Sequence, residues 1–287
     1  MTNTLTAPKV DTPHTERHAP ELYAPVAIAE GVHGFAGVDE AALVRYREQG
    51  YLVIHEAFTA DEVEGAKAGL ADLIMGHVPG FDCIEFEAGA AAILGTLGLD
   101  ERQDAVRKLM FFTAHEPRLH ALAAHPMLLS VLARTLGDAP VLFQDMALLK
   151  PPHIGREKPW HQDHAYFDYP LGTPIVGTWT ALDEATVENG CMHLLAGAHR
   201  DGPIPHFQRR DWQICDTQML GQTCVAAPLG PGGMLLFDAL LPHGTPLNQS
   251  GARRRAVQYH YAPQSARKSV PEERLAVFGS EGKNVSC

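Results

Sequence analysis

The stretch Trp160-His161-Gln162-Asp163 sets an imidazole and a carboxylate two residues apart. On an extended strand, residues i and i+2 point to the same face, so His161 and Asp163 can offer two ligands to one metal. A distant histidine would complete a two-His-one-carboxylate face, which leaves open positions of the kind a non-haem iron(II) oxygenase needs for a cosubstrate and O2. His243 is the candidate, because the apolar run Gly232-Gly-Met-Leu-Leu-Phe-Asp-Ala-Leu-Leu-Pro-His243 reads as a strand with an imidazole at its mouth. Downstream, alternation along Arg254-Ala-Val-Gln-Tyr-His260 puts Arg254, Ala256 and Gln258 on one face. An arginine projecting into a protein interior needs an anionic partner, and a dicarboxylate taken bidentately would supply one. The chain holds a second H-x-D, His199-Arg-Asp201, but glycines on both sides make that a turn. His199 and Asn189-Gly190 are read as structural, Asn-Gly being suited to a hairpin turn.

These residues need strands to position them, and the chain supplies strands in its second half. Residues 1–36 are rich in Pro, Thr, His and Ala without an apolar period, and read as an irregular arm whose later part packs on the body. Residues 41–49 read as a helix, 51–55 as a strand, and Thr59-Ala-Asp-Glu62 as a capping box opening a helix to about Met75. Residues 76–99 follow no period and read as a connection or a loop over a site. A strand over 106–112 and two helices split at Pro126 come next. From Val141 onward short β runs alternate with Gly and Pro: 141–150, 160–167, 175–182, 191–194, 224–226, 234–237 and 254–261. Such texture indicates an antiparallel sandwich or barrel, hence a mainly β, α+β domain.

Composition narrows the function. The 287 residues are 45% hydrophobic and carry a net charge of -11, a globular balance that argues against nucleic-acid or anionic-membrane partners. No signal peptide, lipidation signal or apolar run of about 18 residues is visible, and the five scattered cysteines read as reduced thiols; a cytoplasmic location is expected. The expected partner is a small-molecule substrate, with the oligomeric state left open.

In order along the chain, Trp160-His-Gln-Asp163, Trp179-Thr-Ala-Leu-Asp183, Glu188-Asn-Gly-Cys191, Gly197-Ala-His199, Pro242-His-Gly244 and Arg254 together resemble the phytanoyl-CoA dioxygenase family. The resemblance spans roughly 106–263, departing at Ala196-Gly-Ala-His199, where the family usually has Pro-Gly-Ser-His. It implies a double-stranded β-helix (a cupin-like jelly roll) over 37–287, with an N-terminal helical part. It also implies iron(II), 2-oxoglutarate and O2 as the reaction's cofactor and cosubstrates. His161, Asp163 and His243 match the iron ligands, and Arg254 the arginine on the distal carboxylate of 2-oxoglutarate. Lys108 resembles a second basic contact, and Met146, Trp179 and Thr245 fall where the family touches the cosubstrate. The implied reaction is hydroxylation of an unactivated C–H bond with release of succinate and CO2, since related halogenases replace the Asp163 carboxylate with Gly or Ala. Desaturation, cyclisation or epimerisation by the same oxidant, a non-catalytic binding relative, and a zinc hydrolase on the same face are the alternatives. For the substrate, Gln144 and Asp145 are candidate pocket residues, and residues 206–212 a candidate lid with Trp212 as an apolar wall. The segment 164–170 does not look like the ectoine-hydroxylase signature.

Overall fold

The computed structural model describes residues 9–10, 16–87 and 94–279. Cys287, the extreme N-terminus and 88–93 fall outside that set.

The strand Arg254–Pro263 is the spine of the molecule. It pairs antiparallel with Pro140–Lys150 on one side and Val176–Ala181 on the other. Around this core the larger sheet runs in the order Lys9–Val10, Ile84–Phe86, Val106–Met110, Pro140–Lys150, Arg254–Pro263, Val176–Ala181, Met234–Asp238, Tyr51–His55, Gly31–His33. A second sheet runs Pro25–Ile28, Cys224–Ala227, Met192–Leu194, His243–Thr245, Lys158–His161. The two sheets face each other as the expected double-stranded β-helix.

The alternation of Arg254–Pro263 separates two interiors. Its odd positions face the helices: Val257, Tyr259 and Tyr261 are buried with Leu70, Leu73, Leu119, Leu122, Leu128 and Leu132. The phenol hydroxyls of Tyr259 and Tyr261 donate to the carbonyls of Leu119 and Ala123, both at 2.8 Å, so the polar tips of these rings are satisfied where water is absent. Its even positions face the second sheet, where Ala256 packs with Trp179, Ala181, Leu235 and Phe237.

Local signals fix the helical layer. Glu40–Gln49 starts on Asp39, which accepts from the Ala42 N–H, and ends at Gly50 with φ +79°. Ala60–Met75 opens with the reciprocal Thr59–Glu62 capping box. Pro117–Ala123 and Pro126–Leu136 each begin on proline, whose missing N–H and fixed φ suit a first helical position. No single described helix is long and apolar enough to cross a membrane.

The structure differs from the sequence expectations in several places. The arm contributes three short strands: Lys9–Val10 paired parallel with Ile84–Phe86, Pro25–Ile28 paired parallel with Cys224–Ala227, and Gly31–His33 paired parallel with Tyr51–His55. Strands this short carry too few residues to show a period. The unassigned stretch 76–99 holds Ile84–Phe86, an antiparallel partner of Val106–Met110. The apolar run ending at His243 is two strands rather than one. Met234–Asp238 belongs to the larger sheet, the chain turns through 239–242, and His243 opens a strand of the smaller. The strand carrying His161 ends at that residue, and Asp163 starts a short 3-10 turn. The hairpin His206–Gln208/Trp212–Ile214 and the helix Pro271–Phe278 were not foreseen.

Removing the capping hydroxyl gives a check that is remote from the cavity. Thr59→Ala is expected to destabilise the protein by about 1 kcal/mol in chemical denaturation, with ligand binding unchanged.

Candidate metal centre

Gln162 aims its two neighbours. It is fully buried and extended (φ -114°, ψ 128°), so His161 and Asp163 still share a face although the strand has ended. Its amide donates to the carbonyls of Gly202 (2.9 Å) and Leu240 (2.6 Å), and its Oε1 accepts from the Ile204 N–H (2.7 Å). Its own N–H goes to His206 Nε2 at 3.0 Å, taking the place of the next ladder bond.

Opposite it, His243 pairs in register with His161, their ring centroids 4.2 Å apart. His161 Nδ1 lies 2.7 Å from the Pro159 carbonyl and His243 Nδ1 lies 2.9 Å from the Leu241 carbonyl. A carbonyl only accepts, so both Nδ1 atoms carry hydrogen and both Nε2 lone pairs are free for a metal. His161 Nε2 is 3.2 Å from Asp163 Oδ1, and His243 Nε2 is 3.6 Å from Asp163 Oδ2. Ligands about 2.1 Å from one metal and at right angles to each other sit about 3 Å apart, so the spacing suits one ion. Among the described residues, these three form the one His/Cys/Asp/Glu cluster whose ligand atoms lie within 4.8 Å of one another. Burial and the neighbouring His161 push the His243 imidazole down to about 3, which keeps it neutral and able to ligate. Burial alone would raise Asp163, but the hydrogen bond from His260 at 2.7 Å helps hold its carboxyl well below the usual range.

A cavity of about 200 Å³ opens over this cluster. Arg254 lies in its wall and is almost wholly buried, and its Nε and Nη1 have no hydrogen-bond partner. Burial lowers its pKa to about 10, so it stays charged at neutral pH. Trp179 lies beneath the guanidinium, 5.1 Å from it to the ring centroid, one layer behind the cavity wall and with its indole N–H unpartnered. Arg253 and Arg255 turn away to Asp104 (2.6 Å) and Asp183 (2.7 Å). Thus one arginine of the three-residue run carries an uncompensated buried charge, aimed where an anion would bind.

The structure brings most of the other candidates to the same cavity. Lys108, Met146, Thr245 and Gln144 line it. Lys108 pairs with Glu85 at 3.6 Å, while its neighbour Arg107 reaches Asp211 at 3.9 Å. Asp145 does not join them. On Pro140–Lys150 the positions 144, 146, 148 and 150 face the cavity, and Asp145 faces the opposite way. Its carboxylate accepts from the Phe112 N–H (2.8 Å) and the Thr113 hydroxyl (2.6 Å), fixing the chain as it leaves Val106–Met110. Trp212 also stands back from the cavity, in edge contact with Tyr166 at 5.1 Å and packed with Ala165 and Phe278. His199 is a packing residue, its Nε2 3.1 Å from the Arg47 carbonyl. Asn189 braces its turn through Thr186 and Glu184, and Gly190 has φ +88° with Pro246 and Lys150 pressed against it.

Sequence reasoning missed several cavity residues. Lys150 is buried, with its ammonium donating to the carbonyls of Arg156 and Pro246; burial and Arg254 push it well below the usual lysine range. Tyr166 stands edge-on to His161 at 5.8 Å, and Lys158 links the Tyr166 hydroxyl to Asp211. Glu87 lies within the stretch left unassigned, and burial raises its carboxyl. The alternation of Pro140–Lys150 was the available signal for Lys150. Lys158 opens a four-residue strand too short to show a period, and Tyr166 and Glu87 arrive from a turn and a loop.

Comparison with known proteins follows the same lines. The profile of the family described as phytanoyl-CoA dioxygenase (PhyH) matches residues 46–256. Phytanoyl-CoA dioxygenase domain-containing protein 1 of Mus musculus is 27% identical over 264 residues, covering 78% of this chain and 90% of the mouse protein. Among solved structures, EctD from S. alaskensis with bound Fe superposes with a TM-score of 0.67 at 25% identity, covering 82% of this chain and 80% of that one. The same protein with 2-oxoglutarate and 5-hydroxyectoine superposes with a TM-score of 0.64 at 23% identity, over 87% and 82% of the two chains.

The placement of Asp145 yields a prediction. Asp145→Ala is expected to cost about 1.5–3 kcal/mol of folding stability, because it strands buried donors. In steady-state assays of the folded variant, KM for the cosubstrate should remain at the wild-type value.

Proposed function

The chain belongs to the phytanoyl-CoA dioxygenase family, and on that premise we propose that it is an iron(II)- and 2-oxoglutarate-dependent oxygenase that hydroxylates an unactivated C–H bond of a small molecule. The observation that carries this reading is a pairing within one cavity: a buried His/Asp/His face beside an almost wholly buried arginine with two unpartnered N–H groups. A zinc hydrolase on the same face would have no use for that arginine. A dicarboxylate that chelates the metal through one end and meets Arg254 at the other accounts for both features.

The donor set fits the metal. His161 Nε2, His243 Nε2 and the Asp163 carboxylate would hold iron on one face, and three positions remain for exchangeable ligands. Iron(II) with 2-oxoglutarate and O2 supplies the oxidising power that no side chain has, releasing succinate and CO2 as the substrate is oxidised.

The chain's own residues supply placement, charge and dryness. The Pro159 and Leu241 carbonyls lock the two imidazoles in the tautomer that ligates. Arg254, with Thr245 beside it in the wall, would anchor the distal carboxylate; the Trp179 ring beneath the guanidinium fixes its plane. Lys108 offers a second cation on the same side, aligned across the sheet with Leu148. Met146, Leu148, Met192 and Phe167 give apolar wall, which excludes water and strengthens every charge contact inside. Gln144, whose buried Oε1 has no hydrogen-bond partner, presents a polar group from the wall, and we assign it to the substrate.

The test is turnover under defined gases. With iron(II), 2-oxoglutarate and a substrate found by screening, the protein should form succinate in step with a product heavier by one oxygen atom, labelled from O2. Turnover that persists without O2 and 2-oxoglutarate would contradict the reading. Asp163→Gly should abolish hydroxylation. Arg254→Ala should weaken 2-oxoglutarate binding by at least about 100-fold in calorimetry, in line with the roughly 3–5 kcal/mol commonly lost when a buried ion pair is broken. Unchanged affinity would remove Arg254 from the anchor role.

A further inference from the structure

The carboxylate of Asp163 is gripped from behind by two side chains of the spine strand. Gln258 Nε2 lies 3.0 Å from Asp163 Oδ2, and His260 Nε2 lies 2.7 Å from the same oxygen. Both residues are buried, His260 completely. They follow Arg254 and Ala256 in the alternation of Arg254–Pro263, so one strand carries the buried guanidinium at its start and this pair further along.

The hydrogen positions follow from chemistry. An ionised carboxylate only accepts, so at 2.7 Å the His260 Nε2 carries a hydrogen and donates it. The 3.2 Å approach between Gln258 Nε2 and His260 Nε2 is therefore a contact of two donors converging on one acceptor. Oδ2 then holds two hydrogen bonds, one for each of its in-plane lone pairs. Oδ1, nearest to His161 Nε2 at 3.2 Å, is left for a metal.

The surroundings of His260 tie it to this one task. Its ring is walled by Phe167 at 4.8 Å, Phe143 at 6.1 Å and Phe237 at 6.3 Å between centroids. Its Nδ1 is buried without a partner. In an aromatic box a leucine or phenylalanine would fill the space without stranding a polar atom. The polar ring therefore makes sense through the atom that reaches Asp163.

We infer that Gln258 and His260 are positioning residues for the metal-binding carboxylate: together they hold Asp163 through Oδ2, so that it ligates through Oδ1 alone. A carboxylate fixed in this way cannot close into a bidentate grip, which would take one of the three positions left for exchangeable ligands. The inference rests on the proposed metal centre, and its test needs neither O2 nor substrate.

The probe is cobalt(II) added to the metal-free full-length protein, read by chelator competition and by the visible ligand-field spectrum. Wild type should bind one ion. Gln258→Leu and His260→Leu should each weaken binding by about 10-fold or more, the range typical of lost partners to metal ligands, and should shift the visible bands. His260→Gln, which can still donate, should restore most of the affinity and the wild-type bands. Gln258→Leu keeps its volume at the cavity edge, so its result decides even where His260→Leu does not fold. The inference is overturned if Gln258→Leu matches wild type in both readouts, or if His260→Gln is as impaired as a folded His260→Leu. A wild type that binds no cobalt overturns the metal centre itself. Binding with the expected variant pattern but without oxygenase turnover would leave the positioning role standing and refute the proposed function.

Discussion

The register of the strand Arg254–Pro263 is the constraint on which the rest depends. Its side-chain period is two, so a slip of one residue would exchange its faces. Val257, Tyr259 and Tyr261 would leave the helices, Arg254 and Gln258 would leave the cavity, and His260 would lose Asp163. The register is held from both faces at once. Ten cross-strand pairs join it to Pro140–Lys150, and the Tyr259 and Tyr261 hydroxyls bond to helix carbonyls. Folding stability and site geometry are thus one property here: the packing that buries the tyrosines also aims the guanidinium.

That cavity concentrates charge that is expensive to bury. Arg254 and Lys150 are neighbours across the strands, both buried, and burial lowers the pKa of each. Lys150 is settled by backbone carbonyls, whereas Arg254 keeps two N–H groups unpartnered. An enzyme tolerates such a group when a ligand completes it, and the stability withheld in the free protein returns as binding energy. The minor sheet makes the matching provision for metal. Two imidazoles face each other across a strand pair, and each turns its free nitrogen toward the Asp163 carboxylate.

Much of this was legible in the sequence because it follows strand alternation. The H-x-D pair, the distant His243 and Arg254 lie at ends of short β runs with clear boundaries, and the ordered motifs identified the fold that unites them. Where the reading went astray, a local rule was outcompeted. Asp145 is next to Gln144, and adjacent strand residues cannot share a face; its carboxylate serves the turn at Phe112 and Thr113. Asp163 shares a face with His161, yet a turn rather than a strand delivers it, since Gln162 spends its hydrogen bonds on distant loops. Tyr166, Lys158 and the hairpin with Asp211 meet only in three dimensions, which no period along the chain announces. His260 was visible as one more step in the alternation from Arg254, but its role exists only through Asp163, nearly a hundred residues away.

The central claim is that the His161/Asp163/His243 face and Arg254 together bind a metal and a dicarboxylate at one site. The most direct measurement is anaerobic absorption spectroscopy: iron(II) is added to metal-free protein, then 2-oxoglutarate. The account predicts a weak visible charge-transfer band that appears only when both are present and is lost in Asp163→Ala. No band from wild type, with both components present and oxygen excluded, would contradict it.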